Sequence, residues 1–561
     1  MKWRYLLTLV IFIVSFLCII AKLSYWQIAR AEELSAMGQA QYRKPLEILP
    51  NRGEVKTSDG FPLATNKISY LVFANPKEIK DTDATAKKLS PILQVDAASI
   101  SAKLSQNLFW VPLGHIDSKN KEQIDTLHIP GVGFQDEPSR LYPEASMAAQ
   151  LLGFVGKDAD GNNKGYSGLE GYYERQLKGR PGKAIEIQDA FGRPVLSKLN
   201  GNSGEQDGRS LTLHIDRVIQ FLVERKLKDG IDLYGAESGM AAVMDPATGG
   251  MLAMASFPSF DPRKYQEYSD ILYKNPFITD LYEPGSTFKP LVMASALDAE
   301  LVKPETQCTI CDGPVSVGGY DLHTWNDKYF KNINMIDIIQ HSDNTGMVFV
   351  AQKMGLDKMI TALQQYGIGA ATGVDLEGEV QQGLKPKDNW YAIDLATAAF
   401  GQGISVTPMQ LLDAFASIAN GGQRMEPHVA DKVQTPDGQT IIIPPKVLDK
   451  PISPSTARVM TEILVNAVNK GEAQWARLKG YRIAGKTGTA SIPVNGHYDP
   501  TKTIASFIGF APADNPKFVM LVVLNKPTSS IYGAETAAPI FFAIARDMLA
   551  YYGIAPSGGN E

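Results

Sequence analysis

The chain has 561 residues, too many for one ordinary domain, so its length indicates two or three folding units. Its formal net charge is −5 and its Lys and Arg residues are spread along the chain, which argues against a nucleic-acid-binding protein. Three cysteines are too few for a disulfide-stabilised secreted scaffold.

The N-terminus predicts a single membrane-spanning helix. Residues 5–21 carry no charge and are long enough to cross a bilayer. No small-residue cleavage site follows directly, so we favour an uncleaved signal-anchor over a removed signal peptide. Lys2 and Arg4 place residues 1–4 in the cytoplasm by the positive-inside rule, and the rest of the chain outside. The sequence therefore predicts a single-pass protein of the cytoplasmic (inner) membrane that acts on an extracytoplasmic target.

Residues 22–233 carry short mixed patterns that predict an α+β pedestal. Alternating apolar residues at 70–73 indicate a strand, and residues 158–165 are rich in turn formers. Near residues 211–216 a strand precedes a helix that reaches about Lys228. The apolar face of that helix is predicted at Val218, Leu222 and Leu227.

A second α+β domain is predicted over residues 234–555. Strand patterns occur at residues 239–244, 250–255, 481–483, 504–510 and 518–524. The first two flank a Pro/Gly turn and are expected to form a hairpin. An apolar helix is predicted over residues 535–551. With strands at both ends, we expect one antiparallel sheet flanked by helices and closed by the first and last segments. The short tail at 556–561 is expected to be flexible.

Cys308 and Cys311 are the cysteines outside the membrane run, in C-x-x-C spacing. This spacing is compatible with a local disulfide, a redox pair or half of a zinc site with His323 as a third ligand. No second C-x-x-C and no paired histidine completes a metal cage. We therefore predict a structural pair, no metal and no cofactor.

Three short motifs fall in the second domain. They are Ser286-Thr287-Phe288-Lys289, Ser342-Asp343-Asn344 and Lys486-Thr487-Gly488. An S-x-x-K is expected by chance roughly twice in such a chain, and a K-T-G only about once in ten chains. Each motif alone also fits an ordinary role, as a helix cap, a polar loop or a strand end. Together and in this order, they indicate a catalytic set.

Ser286 is the predicted nucleophile. Pro284 and Gly285 precede it and Pro290 falls in a first helical turn, so Ser286 is expected at a helix N-terminus. Lys289 lies one turn further on the same face, where its amine can reach the hydroxyl. A serine needs a base, and the seven histidines show no triad pattern, which leaves Lys289 as the candidate.

Lys289 can act as a base only when it is neutral, so its pKa must lie well below the usual ~10.4. Burial and a second cation, Lys486, would both lower that pKa. Lys486 is also expected to bind a substrate carboxylate, with help from the hydroxyls of Thr487 and Thr489 on the strand that carries Gly488.

Acyl transfer at a peptide carbonyl also needs an oxyanion hole. The backbone N–H groups of Ser286 and Thr489 are the predicted pair. Ser342 is expected to relay a proton between Lys289 and the leaving or attacking amine, and Asn344 to hold the peptide.

This combination of motifs is the known signature of penicillin-binding proteins and class A β-lactamases. The chain resembles class B penicillin-binding proteins over nearly its whole length. Further matches are Arg52-Gly53-Glu54, Asp59-Gly60, Leu63-Ala64, Arg140-Leu141-Tyr142-Pro143, Gly168-Leu169-Glu170 through Tyr173, and residues 398–408. The resemblance implies a serine β-lactamase-like transpeptidase domain over residues 234–555 and a dimerisation-type pedestal over residues 22–233.

The implied activity is D,D-transpeptidation of peptidoglycan. Ser286 would attack the D-Ala-D-Ala carbonyl of a stem pentapeptide, and the amine of a neighbouring stem would resolve the acyl-enzyme. β-Lactam antibiotics would acylate the same serine. No glycosyltransferase domain is evident, so the resemblance implies a polytopic membrane glycan polymerase and divisome proteins as partners. Glu283-Pro284-Gly285-Ser286 resembles the division-type branch, with an elongation-type role as the alternative.

Two departures from the family pattern stand out. Gln150 lies where a histidine is expected, and Gly471-Glu472-Ala473 replaces a commoner Gly-Thr-Ala. Both are expected to leave the catalytic set untouched.

Three other classes of protein are weaker alternatives. A β-lactamase needs a deacylating base and no pedestal of some two hundred residues. A β-lactam sensor usually has more spans or a cytoplasmic effector, for which a four-residue tail leaves no room. A scaffold with a dead site would not need Ser286, Lys289 and Lys486.

Overall fold

The computed structural model describes residues 2–188, 194–196, 204–494 and 497–556. The chain divides into two compact units, Met1–Asn51 with Gly179–Gly208 and Arg52–Lys178 with Arg209–Glu561. Of the tail predicted at 556–561, only Pro556 lies within the described residues.

The first unit begins with a long apolar helix, Lys2–Ser24, which continues through a π-helical turn, Tyr25–Ala29. Together these segments are long and apolar enough to cross a membrane, and they contain the predicted span at 5–21. A second helix, Ala31–Tyr42, follows. The unit also holds an antiparallel sheet of Arg43–Ile48, Gly182–Gln188 and Pro194–Leu196.

The N-terminal part of the second unit mixes short strands and short helices, as the sequence predicts. Its strands are Val55–Lys56, Pro62–Lys67, Tyr70–Ala74, Val111–Ile116, Val132–Asp136, Ser139–Leu141, Phe154–Lys157, Asn163–Tyr166 and Ser210–Leu213. Its helices are Thr82–Leu93, Ala97–Leu104, Ser118–Thr126, Ala149–Leu152, Gly168–Tyr172 and Glu174–Leu177. In the turn-rich stretch at 158–165, residues 158–162 form the turn of a hairpin and residues 163–165 belong to its second strand.

A buried ion cluster joins the pedestal motifs noted in the sequence. The carboxylate of Glu170 accepts from Arg52 Nε at 2.6 Å and from Arg140 Nε at 2.7 Å. Arg52 also bonds Glu174 through Nη1 at 2.6 Å. Glu170 is fully buried, and the two guanidinium groups keep its pKa below the ordinary value although burial opposes this. The motifs therefore have a structural role here, as charges that neutralise one another inside the fold.

Helix α1, Arg217–Tyr234, opens the second half of this unit. Asp216 caps it by accepting from the backbone N–H groups of Val218 and Ile219. The buried face carries Ile219, Val223 and Leu227, four residues apart. The predicted face was wrong at Val218, which is 48% exposed, because Ile219, Val223 and Leu227 are the residues that pack in the hydrophobic cluster with the sheet.

A five-stranded antiparallel sheet forms the core of this domain, as predicted. Its strands are β1 Ser238–Met244, β2 Met251–Phe257, β3 Ala484–Val494, β4 His497–Ala511 and β5 Phe518–Asn525. The order is β2-β1-β5-β4-β3, so the first and last strands of this sheet in chain order, β1 and β5, pair with each other. The hairpin of β1 and β2 is confirmed. The strand expected at 481–483 is not formed there, because the edge strand β3 starts at Ala484.

Helices cover the sheet. The longer ones are α2 Lys289–Asp298, α3 Asn344–Gln365, α4 Pro408–Ala419, α5 Pro454–Lys470 and α6 Ala537–Tyr551. Shorter elements are the helices Pro276–Thr279, Met335–Gln340 and Ala392–Ala398 and the strands Val315–Val317, Tyr320–Leu322, Arg424–Met425, Ala430–Gln434, Thr440–Ile442 and Val447–Asp449. On one face, Phe507 of β4 packs against both Phe541 and Phe542 of α6.

Cys308 and Cys311 form a disulfide in the segment between α2 and α3. Both cysteines are buried in the main hydrophobic core. Of the three roles compatible with the spacing, the structure has the local disulfide.

Candidate active site

Ser286 lies at the start of a helix, as the sequence predicts. A 3₁₀ turn, Gly285–Phe288, runs directly into α2. Thr287 and Phe288 are buried, whereas Ser286 is only half-buried. The turn therefore presents the hydroxyl of Ser286 while its neighbours anchor the helix in the core.

Backbone hydrogen bonds from the motif at residues 398–408 hold this turn in place. Gly285 donates its backbone N–H to the carbonyl of Gly401, and Tyr282 and Val406 exchange two backbone bonds. Gly401 has a φ of +77°, and a Cβ on it would lie 2.2 Å from Gly285 O. Only glycine fits this position without displacing the turn that carries Ser286.

Lys289 is fully buried and bonds to the second motif. Its Nζ lies 2.5 Å from Ser342 O, 3.3 Å from Ser342 Oγ and 2.8 Å from Asn344 Oδ1. Ser342 has a φ of +56°, and Asp343 caps α3 by accepting from the N–H of Gly346. The first two motifs thus meet at the adjoining N-termini of two helices.

The predicted contact between Lys289 and the Ser286 hydroxyl is not formed in this structure. Among the described residues the Ser286 hydroxyl has no hydrogen-bond partner, and the amine points to Ser342 and Asn344 instead. The sequence spacing predicted that the side chains of Ser286 and Lys289 share one helical face. In the structure, Ser342 has a left-handed backbone conformation, which brings its carbonyl oxygen within 2.5 Å of the Lys289 amine.

The pKa of Lys289 is lowered to about 7. Burial is the main cause, and the positive charge of Lys486 adds to it, while Asp343 and Glu472 oppose the shift. A lysine with such a pKa is neutral in a large fraction of molecules near neutral pH. Burial and a second cation are the two causes expected from the sequence.

Lys486 is buried on β3 and its pKa is also lowered by burial. Its Nζ lies 3.0 Å from Thr487 Oγ1, which in turn donates to Glu472 Oε2 at 2.7 Å. Glu472, noted in the sequence only as a departure from the family pattern, therefore contacts the third motif through Thr487. The sequence did not predict this contact between Glu472 and Thr487, because the two residues lie on different elements. The fold places the turn after α5, which carries Glu472, beside the edge strand β3, which carries Thr487.

The third motif lies beside the serine turn. A Cβ placed on Gly285 would be 3.3 Å from Thr489 O, and one on Gly488 would be 2.8 Å from Thr287 Cγ2. Thr489 Oγ1 accepts from the N–H of Gly533 at 3.1 Å. β3 is the edge of its sheet, so its outer side faces this turn. All three motifs are thus brought together.

Two side-chain contacts near the serine turn were not foreseen. Tyr498 OH bonds both carboxylate oxygens of Glu283, at 3.1 and 3.0 Å, and the same carboxylate accepts from Gly403 N–H. Asn344 Nδ2 donates to His323 O at 2.9 Å. His323 is therefore linked to the site through its backbone. Among the described residues, no group of three or more His, Cys, Asp or Glu side chains is placed to hold a metal ion.

Comparisons with known proteins agree with this architecture. The penicillin binding protein transpeptidase domain matches residues 239–546, and the penicillin-binding protein dimerisation domain matches residues 47–213. The chain is 32% identical to stage V sporulation protein D of Bacillus subtilis, over 99% of this chain and 86% of that protein. It is 30% identical to peptidoglycan D,D-transpeptidase FtsI of Escherichia coli, over 99% and 93%.

A solved structure is also similar. Penicillin binding protein 3 of Mycobacterium tuberculosis, in complex with aztreonam, has a TM-score of 0.70 and 25% identity, covering 92% of this chain and 98% of that one. The chain belongs to the class B penicillin-binding proteins, which confirms the resemblance seen in its motifs. It is a peptidoglycan D,D-transpeptidase with a penicillin-binding transpeptidase fold.

Proposed function

We propose that Ser286 is the nucleophile of this transpeptidase and Lys289 its general base. The single observation that carries the proposal is the buried Lys289 amine, whose pKa is lowered to about 7, one helical turn from a half-exposed serine. A neutral amine can remove the hydroxyl proton, which a charged one cannot.

In the acylation step, Ser286 Oγ attacks the carbonyl of the penultimate D-Ala of a stem pentapeptide. The hydroxyl proton passes to Lys289 and the carbonyl oxygen becomes an oxyanion, stabilised by the N–H groups of Ser286 and Thr489. The C–N bond then breaks, and the terminal D-Ala leaves with a proton on its amine. The terminal carboxylate is held by Lys486, with Thr487, Gly488 and Thr489 along the same strand.

Ser342 is the proposed proton relay. A neutral Lys289 has two N–H donors and one lone pair, whereas three oxygen atoms surround its nitrogen. The Ser342 carbonyl and the Asn344 amide oxygen can only accept. The Ser342 hydroxyl alone can reverse its role and donate to the lone pair. It can therefore carry a proton between Lys289 and the leaving or attacking amine, while Asn344 orients the peptide.

In the second step, an amine of a neighbouring stem peptide attacks the acyl-enzyme ester. The new amide bond cross-links the two stems, the ester C–O bond breaks, and the amine proton returns to Ser286 through Ser342 and Lys289. The reaction consumes no cofactor.

β-Lactams are proposed to acylate Ser286 because they present a strained amide and a carboxylate at matching positions. A similar protein was crystallised in complex with aztreonam. The test is the lifetime of the acyl-enzyme formed with a fluorescent penicillin. An adduct that persists for many minutes supports a transpeptidase, whereas release of hydrolysed drug within seconds would favour a β-lactamase.

The apolar helix at Lys2–Ala29 supports a membrane-anchored protein. We propose residues 1–4 in the cytoplasm, residues 5–21 across the inner membrane, a pedestal at 22–233 and the transpeptidase domain at 234–555 outside. Cysteines introduced one at a time at Ser58 and Ser530, beside a cysteine-free control, test this topology. An impermeant maleimide added to intact cells should label both.

A septal role is proposed from Glu283-Pro284-Gly285-Ser286, together with a polytopic glycan polymerase and divisome proteins as partners. Depletion should give filamentous cells without completed septa. Rounded cells would indicate an elongation-type role. Normal vegetative cells with defective spores would agree with the sporulation relative named above and reject the septal role.

A further inference from the structure

Glu472 is a carboxylate that joins the catalytic lysines through one hydroxyl. Its Oε2 accepts from Thr487 Oγ1 at 2.7 Å, and the same Oγ1 accepts from Lys486 Nζ at 3.0 Å. The Thr487 hydroxyl has one proton to give, and that proton is directed at Glu472. Its lone pair is thereby turned towards the Lys486 amine.

The position of Glu472 is fixed by tight backbone packing. It lies in the turn after α5, between Gly471 and the buried Ala473. A Cβ on Gly471 would lie 2.3 Å from Ala467 O and 2.8 Å from Gln340 O. The Glu472 carboxylate therefore reaches Thr487 from a backbone position with little freedom to move.

Several charged and titratable groups surround the Glu472 carboxylate, and they affect the two lysines differently. Burial lowers the pKa of both Lys289 and Lys486, and Glu472 raises both. Asp343, at the cap of α3, also raises the pKa of Lys289. His341 is a further titratable side chain on this side, with its ring 3.3 Å from Gln340 Nε2. Among the residues that the structure describes, Glu472 is the carboxylate connected to Lys486 by hydrogen bonds, through Thr487.

The proposed reaction needs the two lysines in opposite states. Lys289 must be neutral to accept a proton, while Lys486 must be charged to hold a carboxylate. Two buried lysines with equal surroundings would lose their protons in the same pH range, and one of the two roles would then fail. A carboxylate that is linked by hydrogen bonds to only one of the two lysines keeps that lysine charged at a pH where the other is neutral.

We propose that Glu472 is a positioning residue that holds the Lys486 ammonium group through the Thr487 hydroxyl and keeps it charged while Lys289 is neutral. This inference rests on the roles proposed above for Lys289 and Lys486. The expected ligand is the carboxylate of the stem peptide or of a penicillin.

Glu472→Gln tests the proposal, because the amide keeps an acceptor oxygen for Thr487 but carries no charge. The measurement is the second-order rate constant for acylation of the full-length protein by a fluorescent penicillin, from about pH 5.5 to 10. The rate rises as Lys289 loses its proton and falls as Lys486 loses its own. Without Glu472 both pKa values drop, so both limbs should move to lower pH. The alkaline limb should move by about half to one pH unit and the acid limb by less, because Glu472 is linked by hydrogen bonds to Lys486 and not to Lys289.

On the alkaline limb, such a shift lowers the rate by about threefold to tenfold. A penicillin whose carboxylate is esterified should show no Lys486-dependent alkaline limb with either protein. Glu462→Gln is the matched control: it removes a carboxylate from the exposed face of α5, where Glu462 pairs with Arg482, and both limbs should stay in place. Glu472→Asp, which restores the charge, should return both limbs towards their wild-type positions.

Unmoved limbs in Glu472→Gln would overturn the proposal. So would a uniform loss of rate at every pH, since that result indicates a role in folding alone. A wild-type protein that penicillin does not acylate would instead reject the proposed function itself. Thermal unfolding of each variant identifies loss of folded protein separately.

Discussion

The amine of Lys289 lies 2.8 Å from Oδ1 of Asn344, a residue 55 positions further along the chain. The contact joins the starts of α2 and α3, and it places a buried amine among uncharged oxygen atoms. Because its direct partners carry no charge, the nitrogen can lose its proton without breaking an ion pair. This arrangement underlies the predictions below.

Replacing Lys289 with Met should remove the base while keeping most of the apolar stem. Acylation by penicillin should slow by about 100-fold to 10,000-fold, the usual contribution of a general base. Stopped-flow measurement with a fluorescent penicillin gives the rate. The exposed Lys450→Met serves as the control and should react like the wild type. A Lys289→Met protein that is acylated at the wild-type rate would assign the base elsewhere.

Acylation should depend on pH through the pKa of Lys289. That pKa is lowered to about 7. Below this value the amine is charged and cannot accept a proton, so the rate should rise as pH increases through about 7. It should fall again only at the higher pH where Lys486 loses its proton. A profile that is flat between pH 6 and 8, or that falls there, contradicts a lysine base.

Gly401→Ala should disturb the serine turn without touching a catalytic group. The new Cβ would lie 2.2 Å from Gly285 O. A shift of the nucleophile by about 1 Å should slow acylation by about 100-fold. Gly421→Ala is the matched control, since Gly421 also has a positive φ but has nothing within 4 Å of its Cβ position. Equal effects in the two variants would show backbone strain as the cause, not the clash.

Glu170→Gln should destabilise the pedestal. It removes the carboxylate between Arg52 and Arg140 and leaves two largely buried guanidinium groups without their shared partner. The expected loss in free energy of unfolding is roughly 3–5 kcal/mol. Denaturant unfolding measures it. Asp232→Asn, which breaks an exposed pair with Lys228, should change the free energy by less than about 0.5 kcal/mol.

Much of the catalytic domain could be predicted because its signals are local. The Pro/Gly turn between β1 and β2, the strand pattern of β5 and the proline in the first turn of α2 each specify their own conformation. The start of α2 placed Ser286 correctly. The predicted buried face of α1 was wrong at Val218, because packing against the sheet, which the local pattern does not show, decides which residues face inward.

The sequence could not predict the contacts between residues on different segments of the chain. Glu472 appeared only as a departure from a family pattern, since its partner Thr487 is 15 residues away on another element. In the same way, the sequence spacing predicted that Lys289 lies near Ser286. It did not predict that Ser342 and Asn344 are the hydrogen-bond partners of Lys289, because those contacts depend on the conformation at the start of α3. The sequence identified the third motif as a binding site for a carboxylate. Only the folded structure showed that the negative charge of Glu472 lies next to this motif.

The central claim is that Ser286 forms the acyl-enzyme, and mapping of the covalent adduct tests it most directly. Full-length protein is incubated with penicillin and digested, and the modified peptide is sequenced by mass spectrometry. The expected result is one penicilloyl group on Ser286 and none on the Ser286→Ala protein. An adduct on any other residue, or persistent modification of Ser286→Ala, would contradict the claim.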